Sequence, residues 1–211
     1  MSVEIVLATH NQHKVEEFQW LVSRDVPGIT VLAYDGPEPV EDGTTFSENA
    51  LIKARVAAAH TGSIALADDS GIGVEILGGS PGIFSARWAG PQHDSTANLA
   101  LLLDQLRDVH EEHRAAWFAC HLALVVPPGI GGMEPFEHVA VGTWRGTLAT
   151  EPSGTNGFGY DPAFIPDGEQ RTAAELSPAE KIELSHRAHA FRALVPVLQR
   201  LVPEGPASTT S

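Results

Sequence analysis

Cysteine, methionine and positive charge are all scarce in this 211-residue chain, which has one cysteine, two methionines and 13 Lys and Arg against 27 Asp and Glu. A single thiol, Cys120, excludes an intrachain disulfide and a cysteine-built zinc site, and its place in the apolar run from Trp117 to Val126 predicts a buried core residue. The formal net charge of −14 argues against a nucleic-acid partner, because such a protein needs a dense positive surface to displace counterions. A small phosphorylated ligand is still compatible, since a few local cations or a divalent ion reverse the field inside one cleft. No apolar run approaches the ~20 residues of a membrane span. The start of the chain goes directly into Val3, Ile5, Val6 and Leu7 without a basic and then apolar leader. A soluble, cytoplasmic protein with no membrane partner is the expectation.

What is present suits an α/β domain. The length is near the upper end for one domain of about 100–200 residues, so residues 1–202 read as a single two-lobed unit. Residues 203–211, small, polar and proline-bearing, read as a disordered tail. Val15, Phe18, Leu21 and Val22 recur at helical spacing after the first strand. Thr45 and Glu48 form the T-x-x-E pattern of a capping box ahead of an alanine-rich helix reaching about Ala59. Ile64 to Ala67 reads as a strand that ends on Asp68-Asp69-Ser70, with a new alternating run of Ile72, Val74 and Ile76 after Gly71. Leu99, Leu102, Leu103 and Leu106 mark one face of a further helix. Two β-type runs, Trp117 to Val126 and Phe136 to Leu148, flank a Pro/Gly-rich loop and read as a hairpin in a second sheet lobe. Ser177-Pro178-x-Glu180 and Ser185 each start a helix, the second carrying Phe191, Leu194, Leu198 and Leu201 and a Pro196 expected to bend or shorten it.

The strongest chemical signal is Asp68-Asp69-Ser70. An apolar run stopping on two carboxylates and a hydroxyl puts oxygen donors at the mouth of a buried strand, where a rigid element aims them at a metal ion or a reacting group. Mg2+ takes one or two carboxylates and fills its shell with phosphate oxygens and water. Asp69 with one glutamate therefore suffices, and Glu41 in a loop is preferred to Glu48, which the capping box already explains. Asp68 reads as structural, accepting hydrogen bonds from turn amides. Thr9, Asn11 and Lys14 place a hydroxyl, an amide and an ammonium at a strand-to-helix junction, where a helix N-terminus favours an anion. Asn11 as a simple cap and Lys14 as a solvated charge is an equal alternative for that segment alone. Gly157-Phe158-Gly159-Tyr160-Asp161 offers an aromatic face between glycines and a carboxylate to accept from ring N–H groups. Lys181, His186 and Arg187 add donors around a helix start, although in isolation they read as surface charges. The other histidines, among them His93, His110, His113, His121 and His138, show no ligand spacing and read as surface or core residues.

Taken in order, the segments LATHNQHKVEEF, TTFSENALIKA, ALADDSGIGVEILGGSPGIFSARWAG, GTNGFGYDPAFIP and AELSPAEKIELSHRAHAF resemble the inosine triphosphatase-like family, also called dITP/XTP pyrophosphatases. They cover nearly the whole chain apart from residues 107–150 and the tail. The resemblance implies an α/β fold with a long mixed central β-sheet, flanking helices and two lobes around a substrate cleft, usually in a homodimer. It also implies hydrolysis of ITP, dITP and XTP to the monophosphate and pyrophosphate with Mg2+ as cofactor. Carried over residue by residue, the phosphate segment falls on Thr9, His10, Asn11, Gln12, His13 and Lys14. The catalytic acid falls on Asp69 and the adjoining substrate contact on Ser70, with Asp69 and the separately preferred Glu41 standing as the metal ligands. The base-binding set falls on Phe158, Gly159, Tyr160 and Asp161, then Lys181, His186 and Arg187. Two departures stand out: His10, where many relatives carry a small residue, and a longer 127–137 loop.

A pyrimidine-directed nucleotide hydrolase of the Maf type is the nearest competing reading, but its S-x-S-P-R-R start is replaced here by ATHNQHK. A non-catalytic nucleotide-binding regulator would have dispensed with the acid, and Asp69 is present.

Overall fold

Six strands, β1 (Val3–Leu7), β2 (Ile29–Ala33), β3 (Ile64–Val74), β4 (Ala115–Val126), β5 (Phe136–Leu148) and β6 (Phe164–Pro166), form one mixed sheet in the order β2-β1-β3-β4-β5-β6. The computed structural model describes residues 2–202, so the expected disordered tail lies outside the described residues. β2, β1 and β3 run parallel, and each pairing from β3 to β6 is antiparallel. The helices are α1 (Gln12–Asp25), α2 (Phe46–Thr61), α3 (Ser95–Gln105), α4 (Pro178–Leu184) and α5 (His186–Gln199). This is the α/β fold with a long mixed sheet that the sequence predicts. Among the described residues no helix is long and apolar enough to cross a membrane.

Parallel neighbours need crossover connections, and α1 and α2 supply them on opposite faces of the sheet. α1 buries Val15, Phe18, Leu21 and Val22 together with Ala190, Phe191, Leu194 and Leu198 of α5 against Ile5, Leu7, Ile64, Leu66 and Leu122. On the other face α2 lays Ala50, Ala54, Ala57 and Ala58 on Ala65, Ala67 and Ala123, small residues that let helix and sheet close together. α2 opens on Thr45, whose side chain accepts the Glu48 N–H as the capping pattern predicts. A further cluster covers the far half of the long strands, built from Ile72, Val74, Phe118, Trp144, Phe164 and Leu102. Cys120 is fully buried, and burial, with Asp68 nearby, pushes its thiol up to about 12.

Three expectations are corrected. β3 does not end at the acid pair: it continues unbroken to Val74, because β4 pairs with it along ten registered positions from Ala65↔Val125 to Val74↔Ala116. The runs read as a second sheet lobe, β4 and β5, extend the same sheet for the same reason. Pro196 does not shorten α5, which continues to Gln199, since Leu194 and Leu198, buried on either side of the proline, hold the helix in the core.

Candidate active site

The site arises from a mismatch in strand length. β1 pairs with β3 only from Ile5↔Ile64 to Leu7↔Leu66, whereas β3 runs eight residues further. Beyond Leu66 the edge of β3 that β1 has left is open to the loops. The chain order also reverses at β1, which has β2 on one side and β3 on the other. Ligands of open α/β sheets sit in the crevice at the carboxyl ends of the strands at such a switch point.

Successive side chains of a strand point to opposite faces, and this separates the adjacent carboxylates. Asp68 turns to the face of α1 and α5. Lys14 Nζ donates to both of its oxygens at 2.9 and 3.0 Å, and Arg187 Nη2 lies 3.8 Å away. Burial alone would raise the Asp68 carboxyl, but Lys14, Arg187 and Lys53 outweigh it and hold it far below the usual carboxylate range. Asp68 is therefore an ionised strut for two cations, and the expected turn amides play no part, because it lies within a strand. Asp69 turns to the α2 face, where Lys53 Nζ lies 3.2 Å from Oδ1. The same ammonium lies 3.1 Å from Glu41 Oε1, so the two carboxylates predicted as metal ligands share one cation. Burial raises the Asp69 carboxyl, Lys53 opposes it and Glu41 adds to it, with a net upward shift. Lys53 stays charged, since Asp69, Asp68 and Glu41 outweigh the burial that disfavours its ammonium.

Two cavities flank this strand. A smaller one, about 200 Å3, is lined by Thr9, His10, Lys14, Glu41, Lys53 and Asp68 among others. Thr9 Oγ1 accepts the Asn11 N–H at 3.2 Å, and Asn11 Oδ1 accepts the Lys14 N–H at 3.4 Å, so this stretch forms a cap as well as a cavity wall. Gln12 and His13 open α1, and neither Asn11 nor Gln12 lines either cavity. Glu48 returns to Thr44, accepting its N–H at 2.6 Å, which leaves Glu41 as the glutamate beside Asp69. The larger cavity, about 450 Å3, brings together Ser70, Phe118, Phe158, Lys181, His186 and Arg187. Phe158 is 70% exposed and presents a ring face, with Lys181 Nζ 5.5 Å from its centroid.

Asp161 is partly engaged within the protein: its Oδ2 accepts the Phe158 N–H at 2.8 Å and pairs with Lys181 Nζ. The chain fits around this contact only with glycine at 157, at φ +78°, since a Cβ there would lie 2.2 Å from Asp161 Oδ2. Tyr160 is a buried wall residue whose hydroxyl donates to the Ser85 carbonyl at 2.7 Å. His186 stacks on Phe118 with centroids 4.9 Å apart. Burial, with Arg187 and Lys181 beside it, pushes its imidazole well below the ordinary histidine value, so it is neutral at pH 7. Arg187 is held charged by Asp68 against its own burial.

Lys53 is the functional residue that sequence reasoning missed. Its signal was available: Asn49 and Lys53, four apart in an otherwise alanine-rich helix, share one face. Asn49 is buried and accepts the Gly43 N–H at 2.9 Å, tying the Glu41 loop to the start of α2.

The buried side-chain polar atoms without a hydrogen-bond partner among the described residues are Asp69 Oδ2, Ser70 Oγ, His186 Nδ1 and Arg187 Nε. Buried polar groups are nearly always satisfied, so their concentration along one strand and one helix start singles out this region as the candidate site. Fold and site define an α/β protein whose cleft, at the carboxyl ends of its parallel strands, joins a group of cations to an open ring face. The chain belongs to the Ham1 family, whose model matches residues 5–197. It is 57% identical over 203 residues to a dITP/XTP pyrophosphatase of Leifsonia xyli subsp. xyli, covering 96% of this chain and 99% of the relative. A dITP/XTP pyrophosphatase of Streptomyces avermitilis is 50% identical, covering 94% and 98%. Among solved structures, a HAM1 protein from Coxiella burnetii superposes with a TM-score of 0.84 at 42% identity, covering 94% of this chain and 99% of that one.

Proposed function

We propose that the chain is a nucleoside-triphosphate pyrophosphatase that converts the deaminated purine nucleotides ITP, dITP and XTP to their monophosphates and pyrophosphate. Its family and the names of its relatives support the activity. The observation that carries the assignment to this site is the set of orphaned buried atoms on Asp69, Ser70, His186 and Arg187. The triphosphate occupies the smaller cavity and the purine the larger one, with Asp68 and Ser70 between them.

The residues present fit a hard divalent cation. Asp69 Oδ2 is buried without a partner, and Asp69 and Glu41 already hold one positive charge between them. Mg2+ suits a site of two carboxylates completed by phosphate oxygens and water, and when bound it offsets the negative charge of the phosphate chain. Lys14, at the N-terminus of α1, adds positive charge at the phosphates. Asp69 takes a proton from the water that attacks the α-phosphorus. A new P–O bond forms there as the bond to the bridging oxygen breaks and pyrophosphate leaves. A carboxylate raised by burial is a better-matched base near neutral pH than an ordinary one.

Purine choice follows from donors. Lys181, anchored by Asp161 above Phe158, and Arg187 present N–H groups to a 6-oxo oxygen, whereas the 6-amine of adenine leaves them unpaired. The neutral His186 offers a further polar atom to the base or sugar. A cytoplasmic homodimer without nucleic-acid or membrane partners belongs to the same reading. The test is pyrophosphate release from ITP, XTP, GTP, ATP and dTTP, each with Mg2+ and with EDTA. Metal-dependent turnover confined mainly to ITP and XTP is expected, and preferential turnover of dTTP would overturn the purine assignment.

A further inference from the structure

His10 has a defined set of contacts across the smaller cavity. Its Nε2 lies 3.0 Å from the Gly36 carbonyl oxygen and its Nδ1 lies 3.0 Å from Glu38 Oε1. The ring also stacks on Tyr34, with centroids 5.9 Å apart and planes 11° from parallel. Both polar partners are acceptors, and one lies at each ring nitrogen. All three contacts reach one segment, residues 34–41, which contains no helix or strand. That segment supplies one wall of the cavity through Tyr34, Glu38, Pro39 and Glu41, and Thr9, His10 and Lys14 supply the facing wall.

Without a strand ladder, the position of Glu41 depends on side-chain ties. Lys53 holds Glu41 itself, and the Tyr34 hydroxyl donates to the Pro37 carbonyl at 3.0 Å within the segment. Tyr34 is backed on its other side by the edge of His60, 5.8 Å away. His10 thus bridges the phosphate segment to the loop bearing the second predicted metal carboxylate. We propose that His10 is a positioning residue of this chain, a clasp that fastens residues 34–41 over the triphosphate cavity and sets Glu41 beside Asp69.

The inference rests on the phosphate reading of the cavity for its functional part, but the clasp is tested without substrate or metal. Amide hydrogen exchange of the ligand-free protein is compared for wild type, His10→Ala, Glu38→Gln and the double variant. Faster exchange confined to residues 35–43 is expected in His10→Ala. Glu38→Gln is expected to give a smaller part of the same change, and the double variant no more than His10→Ala alone. Unchanged exchange in His10→Ala, or additive effects in the double variant, overturns the clasp. His10→Phe keeps the ring stack without the donors. Loosening like that of His10→Ala supports the hydrogen-bonded clasp, and wild-type exchange overturns it. In turnover of ITP, His10→Ala is expected to raise the half-saturating Mg2+ concentration about two- to fivefold, the scale of one exposed side-chain tie. A fall in kcat alone, with the metal requirement unmoved, contradicts the positioning role. Because the exchange arm uses neither nucleotide nor metal, its outcome is independent of the substrate assignment.

Discussion

The two faces of β3 carry neighbouring aspartates with opposite tasks. On the α1 and α5 face, Asp68 is almost wholly enclosed and is matched by Lys14 and Arg187, so its charge is secured. On the α2 face, Asp69 shares its one ammonium with Glu41 and keeps a buried oxygen without a partner. In the first arrangement both Asp68 oxygens are engaged, and the carboxylate acts as structure. The second is left incomplete, as suits the base proposed for the reaction. The alternation of a single strand is enough to produce this division from two identical residues.

The comparison breaks most sharply at Asp69. Asp69→Asn should lower kcat by about 10^3-fold or more, the upper range for loss of a general base together with a ligand charge. Its thermal unfolding temperature at pH 7 should be no lower than that of wild type. The sign follows from the upward shift: a group whose folded pKa is raised adds stability while protonated and loses it as pH rises through that value, so the ionised Asp69 is no asset to the fold. Asp68→Asn should do the reverse, costing about 3–5 kcal/mol in denaturant unfolding, because Lys14 and Arg187 are left facing a neutral group inside the protein. Asp68 is shifted downward, so its stabilisation is present above the ordinary carboxylate value and lost as pH falls below it. The variant should therefore lose less stability in acid than wild type does.

Phe158→Ala addresses the other cavity, where an open ring face is available. KM for ITP should rise by the equivalent of about 1–3 kcal/mol, the range for base–aromatic stacking, with kcat little changed. The subtlest effect is expected from Lys53→Met. Lys53 is the larger of the two influences, with Asn49, that oppose burial at Asp69, so its loss should move the acidic limb of the kcat/KM profile to higher pH. An unmoved limb would mean that Asp69 is not the group titrating there.

Much of this was legible in the sequence because it is local. Helix starts at Thr45, Ser177 and Ser185 were readable from capping chemistry; Ser177 forms the full box and Ser185 a cap, while at Thr45 the side chain caps the Glu48 N–H and the glutamate returns to Thr44 instead. The acid pair was conspicuous because carboxylates interrupt an apolar run. What was hidden depends on partners distant in the chain. Asp68, Asp69, Ser70 and Gly71 have poor strand propensity, and only pairing with Leu122, His121, Cys120 and Ala119 of β4 makes them a strand. Asp161 looked like a free acceptor because Lys181, twenty residues later, claims it only in the folded chain. Lys53 was readable in principle from its spacing to Asn49, but its role depends on Glu41 and Asp69 arriving from two other segments.

The most direct test of the central claim is hydrolysis of ITP in 18O-labelled water, with mass analysis of both products. Attack on the α-phosphorus predicts one labelled oxygen in inosine monophosphate and none in the pyrophosphate released. Label in pyrophosphate, or release of orthophosphate in its place, would show that the water strikes elsewhere on the phosphate chain and would contradict the account.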